Sequence, residues 1–68
     1  MPRAIDRSEV RRLVAEEDAQ LVDVLPREEY ESEHLLGAIN IPLRDVARRA
    51  AEELERSRPV IVYCYDAL

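Results

Sequence analysis

Glycine is almost absent. The 68-residue chain holds one, Gly37, where about 7% is usual. A glycine-rich phosphate loop is therefore excluded within these residues. Cysteine is equally scarce, because Cys64 stands alone. That excludes an internal disulfide and fits a reducing, cytoplasmic location. His34 is the single histidine, so a structural zinc cage of four N or S ligands is not expected. Neither a metal nor another cofactor is implied. Basic residues are the minority, 10 against 15 acidic, for a net charge of -5. A nucleic-acid partner would call for a basic face, and an anionic membrane surface would repel this one. Apolar runs reach only a handful of residues, too few to span a bilayer. The opening MPRAIDRSEV also lacks the apolar centre of a signal peptide.

What is present is a chain 47% hydrophobic and 37% charged. The apolar fraction is that of a folded protein rather than a disordered one. The length allows one domain, residues 1–68. A chain of this size buries only about 60% of its unfolded surface. Scaffolds so small usually lean on a disulfide, a metal or a partner chain.

Periodicity supplies the elements. Asp6 or Ser8 can cap a helix, with Glu9 at capping-box spacing from Asp6. Val10, Leu13 and Val14 then share one helical face. Residues 20–24, QLVDV, read as a strand that Pro26 stops. Residues 27–32 fit one or two helical turns led in by that proline. A turn is expected at Gly37 and a short strand at 39–41. Residues 44–56 read as the clearest helix, with Leu43, Val46, Ala47, Ala50, Ala51 and Leu54 as its stripe. Its charged residues read as a solvated face, with Glu52 and Arg56 an i, i+4 pair. The run VIVY at 60–63 reads as a strand buried on both faces, as in parallel sheets. The alternation points to an α/β fold. The face that a following helix would cover has no cover within these residues. The chain is therefore expected to order by pairing, with a complementary fragment, a second copy, or further residues of the protein.

Few residues carry chemistry. Cys64 follows the last strand at its carboxyl end, where open α/β sheets bind ligands. A thiol there can be activated by backbone N–H groups, although on position alone a buried, inert thiol is the commoner outcome. His34 reads as a loop histidine bonded to backbone. Asp23, a carboxylate inside an apolar strand, reads as an acceptor for loop N–H groups. Tyr30, Tyr63 and Tyr65 read as amphipathic packing residues. Glu28, Glu29, Glu31 and Glu33 read as solvated surface.

Together these residues resemble a known family. Asp23-Val24, Glu29-Tyr30, His34, the run Gly37-Ala38-Ile39-Asn40-Ile41-Pro42, and Tyr63-Cys64 resemble the rhodanese pattern in identity and order. The resemblance implies a five-stranded parallel sheet flanked by helices, present here as its amino-terminal half. It also implies sulfur transfer. A Cys thiolate takes sulfane sulfur from a small donor such as thiosulfate, forms a persulfide, and passes the sulfur to a thiol or cyanide. By this resemblance Cys64 is the nucleophile. Tyr65, Asp66, Ala67 and Leu68 are the next positions of the persulfide-holding loop, and Asp23 and His34 support the site. An incomplete loop implies that these 68 residues by themselves are inactive.

Three places depart from the pattern. Leu25 stands where the family usually has Arg, Ala67 where it often has Gly, and Asp66 and Leu68 put a negative charge and a bulky apolar group in a loop meant to hold an anion. These departures motivate an alternative, a rhodanese-like module that binds or regulates without chemistry. A same-fold phosphatase or arsenate reductase ranks last, because Asp66 suits an oxyanion poorly.

Overall fold

A side-chain cap starts the first helix. In the computed structural model, which describes residues 4–64, the Asp6 carboxylate accepts the Glu9 amide at 2.9 Å. That satisfies one of the orphan donors at the start of α1 (Arg7–Glu17). The helix stops at Asp18, whose left-handed backbone (φ 56, ψ 44) is one that Asp tolerates better than most residues. Arg58 clamps this corner, with Nε 2.7 Å from the Asp18 carbonyl and 3.2 Å from its carboxylate.

The next stretch forms β1 (Gln20–Asp23), the central strand of a three-stranded parallel sheet of order β2–β1–β3. Pro26 then leads into α2 (Arg27–Ser32) from the N-cap position, at φ -55 and ψ 150, the φ that its ring fixes. The chain reverses at Gly37, where φ is +85. A Cβ there would meet no atom within 4 Å, so the demand for glycine is conformational rather than steric. β2 (Ile39–Asn40) follows, pairing Ile39 with Val22 and Asn40 with Asp23. After Pro42 come a 3₁₀ turn (Leu43–Asp45) and α3 (Val46–Glu53). β3 (Val60–Tyr63) closes the described sheet on the other side of β1, with Tyr63 opposite Asp23. Ala19, Val22, Ala38, Ile41, Ile61 and Tyr63 form the core, and Val22 and Ile41 are almost wholly buried. Each such aliphatic side chain contributes roughly 1.5–3 kcal/mol.

Two expectations need correction. The third helix is shorter than 44–56, because the buried Gln20 side chain captures the chain beyond it. Gln20 Nε2 donates to the Glu55 and Arg58 carbonyls at 2.9 and 3.3 Å, and Oε1 accepts the Glu55 amide at 2.8 Å. These bonds satisfy a buried amide and hold 55–58 outside helical geometry. Arg56 therefore lies beyond the helix, and the i, i+4 pair that forms is Arg49 with Glu53 at 2.6 Å. It raises the Arg49 pKa and lowers that of Glu53, chiefly through their hydrogen bond. Of the expected stripe, Val46, Ala50 and Leu54 are half-buried, while Leu43, Ala47 and Ala51 are exposed.

The second correction concerns β3. It is parallel, as expected, but buried on one face only. Ile61 and Tyr63 point into the core, whereas Val60 and Val62 are 43% and 54% exposed. Their partners across the pairing, Gln20 and Val22, are buried on that same face of the sheet, so β3 at the edge alternates in burial although its sequence does not.

Candidate active site

The three strands run parallel, so their carboxyl ends share one edge, and the chemistry-bearing residues gather there. Asp23 ends β1 and is fully buried. Its Oδ1 accepts the Leu25 amide at 2.8 Å, the loop-holding role expected from the sequence. Among the described residues its Oδ2 has no hydrogen-bond partner. Asn40 bridges the same corner, its Nδ2 donating to the Asp23 and Leu25 carbonyls at 3.0 and 2.9 Å.

Across the strand pair stands Tyr63, 5% exposed. Its hydroxyl accepts the Leu35 amide at 2.9 Å. Burial pushes this hydroxyl above its ordinary pKa. The Leu35 amide pulls it back, and the negative charge of Asp23 adds to the rise. Cys64 is the next residue and is exposed. That corrects the expectation of a buried thiol, which position alone had favoured. The reason is geometric, since Tyr63 takes the last inward position of β3 and Cys64 leaves the sheet.

His34 sits in the loop after α2. Its Nδ1 lies 2.6 Å from the Tyr30 carbonyl. A carbonyl only accepts, so Nδ1 carries the proton. The ring stacks on Tyr30, with centroids 3.9 Å apart. The Tyr30 hydroxyl donates to the Ala38 carbonyl at 2.7 Å. The Tyr30 and Tyr63 hydroxyls thus staple the loop that carries His34, a role that packing arguments missed. The signal available was their placement beside the Gly37 turn and next to Cys64.

Asp23 and His34 therefore both connect to Tyr63, one across the strands and one through the neighbouring Leu35 amide. Cys64 is a free thiol, exposed at this edge. Among the described residues, no three His, Cys, Asp or Glu side chains meet as metal ligands. No helix there is long and apolar enough to cross a membrane. The expected loop positions Tyr65, Asp66, Ala67 and Leu68 lie outside the described residues.

The described residues form a small parallel α/β domain with an exposed cysteine leaving the carboxyl edge of its sheet. Residues 6–67 match the model of the rhodanese-like domain, and the chain belongs to that family. It is 45% identical over 64 residues to the HTH-type transcriptional regulator Rv0324 of Mycobacterium tuberculosis, covering 94% of this chain and 28% of that protein. It is 29% identical over all 68 residues to the thiosulfate sulfurtransferase GlpE of Coxiella burnetii, covering 63% of it. YqhL of Bacillus subtilis is 42% identical over 50 residues, covering 74% of this chain and 39% of that protein. The chain thus spans between 28% and 63% of the length of these relatives.

Proposed function

We propose that this chain is the amino-terminal, nucleophile-bearing part of a rhodanese-like sulfurtransferase domain, with Cys64 as the nucleophile. The observation that carries the reading is the exposed Cys64 at the carboxyl edge, within a chain of this family. The Cys64 thiolate attacks the outer sulfur of thiosulfate. The sulfur–sulfur bond of the donor breaks, and its electron pair leaves on sulfite. The enzyme then holds a Cys64 persulfide anion. Cyanide or a thiolate attacks the outer persulfide sulfur, giving thiocyanate or a new persulfide, and the Cys64 thiolate returns. Each step transfers one neutral sulfur atom, so no external oxidant or reductant is needed. By the family resemblance, backbone N–H groups following Cys64 would hold the persulfide anion. Asp23 and His34 act as positioning residues, through Leu25 and through the stapled loop. Because the loop continues past residue 68 in this reading, residues 1–68 alone are inactive.

The test is thiosulfate:cyanide transfer by the intact protein and by Cys64→Ser. Thiocyanate should appear with the native residue and fall to the uncatalysed background in the variant. Mass spectrometry after thiosulfate treatment should show one added sulfur on the peptide containing Cys64. Equal rates for the two proteins would reject the reading. A persulfide that forms but is never passed on would instead mark a binding or regulatory module.

A further inference from the structure

A second feature shares the carboxyl edge with Cys64. Val24, Pro26, Arg27, Glu28, Pro42, Leu43 and Arg44 line a groove of about 730 Å³. It lies between the exits of β1 and β2. Backbone bonds tie it to the cysteine, since the Val24 amide donates to the Tyr63 carbonyl at 3.1 Å and the Leu43 amide to the Val24 carbonyl at 3.0 Å. One residue, Val24, therefore separates the groove from the strand end that bears Cys64. Its walls are largely apolar, and Leu43 is 72% exposed along one of them. Its charges are unequal. Arg27 is held by Glu31 at 3.1 Å, and Glu28 adds a carboxylate to the rim. Asp45, next along the chain, is taken by Arg48 at 3.4 Å. Arg44 makes no ion pair among the described residues, so its guanidinium is available to an outside anion.

We infer that this groove is the binding site for the sulfur acceptor, an organic thiol bearing a carboxylate, with Arg44 as the residue that selects its charge. The inference rests on the sulfur-transfer reading above. Volume supports it, because the groove has the size of a small-molecule site and far exceeds what thiosulfate or cyanide would fill. Chemistry supports it as well. An apolar floor takes the organic body, and a guanidinium pairs with a carboxylate by two parallel hydrogen bonds. An acceptor seated there would present its thiolate toward the persulfide sulfur. The new sulfur–sulfur bond would form on the acceptor while the Cys64–sulfur bond breaks, its electron pair returning to Cys64.

The experiment separates binding from turnover. The probe is S-methylglutathione, which carries carboxylates and cannot react, titrated into the intact Cys64→Ser protein by NMR. Shifts should concentrate on the Val24, Leu43 and Arg44 amides and weaken with rising salt. Arg44→Glu should weaken binding about tenfold, as reversing one partly screened charge should. Arg44→Lys should restore most of it. In turnover, Arg44→Glu should raise KM for glutathione by a similar factor and leave neutral dithiothreitol unaffected. Shifts elsewhere, or an Arg44→Glu effect equal for both thiols, would overturn the inference. If binding behaves as stated while no thiocyanate or persulfide forms, the groove stands and the sulfur-transfer reading falls.

Discussion

Asp23 and Tyr63 face each other across the central strand pair, and each replacement there has a separate signature. Asp23→Ala leaves the Leu25 amide without its acceptor in a buried corner, which should cost roughly 1–3 kcal/mol. Denaturant unfolding of the intact protein reads this directly. Asp23→Asn keeps an acceptor for Leu25 and removes the charge. Tyr63 should then titrate lower than in the native protein, yet still above 10.0, because burial is the larger cause of its raised value. Ultraviolet titration would show it, and an unmoved midpoint would mean that Asp23 does not act on the hydroxyl. The linkage has a definite sign. A folded value raised above the unfolded one gives stability that is complete below about pH 10 and lost as pH climbs through the folded value. Tyr63→Phe should flatten that alkaline loss. Asp23 was legible as a buried acceptor, because a charge inside QLVDV must be satisfied. Tyr63 was not, because its role depends on where a distant loop amide, that of Leu35, comes to rest.

Elements were legible where a local signal set them. The Asp6 cap, the Pro26 entry, the short 27–32 helix and the Gly37 turn all follow from residues within a few positions of each other. Gly37 makes the case testable. Its φ of +85 with open space around it means that Gly37→Ala suffers only backbone strain, about 1–2 kcal/mol. Thermal unfolding should register a loss of that size, and no loss would show that the turn adapts. The third helix was misjudged for the opposite reason. Its end is set by Gln20, 35 positions away from Glu55, and no helical periodicity records that bond. Gln20→Leu should take the protein partner from the Glu55 amide and the Arg58 carbonyl, and leave the Glu55 carbonyl only the Arg58 amide at 3.4 Å. A stability loss on the order of 2 kcal/mol is expected even though a polar residue becomes apolar. The candidate site divides the same way. The place of Cys64 at the carboxyl end of β3 was legible from strand position, whereas the groove lined by Arg44 needed two strand exits brought side by side.

At the scale of the whole molecule the sheet governs behaviour. β3 is paired on one side only among the described residues, and its outer face presents Val60 and Val62. An open strand edge beside an apolar face is a template for pairing with another chain. The net charge of -5 opposes association but is spread over helices rather than along β3. Residues 60–63 contain no charge, so the edge lacks the lysine that commonly blunts such strands. The 68-residue chain made alone should therefore self-associate, with a weight-average mass that grows with concentration in sedimentation velocity. Val62→Lys places a charge on that face at a side chain already 54% exposed, so it should cost the core little. It should shift the distribution toward monomer while helical content by circular dichroism stays the same. If the native-sequence chain sediments as a folded monomer at every concentration, the face is closed by something the sheet geometry does not contain. If Val62→Lys unfolds the chain, Val62 is part of the core despite its exposure.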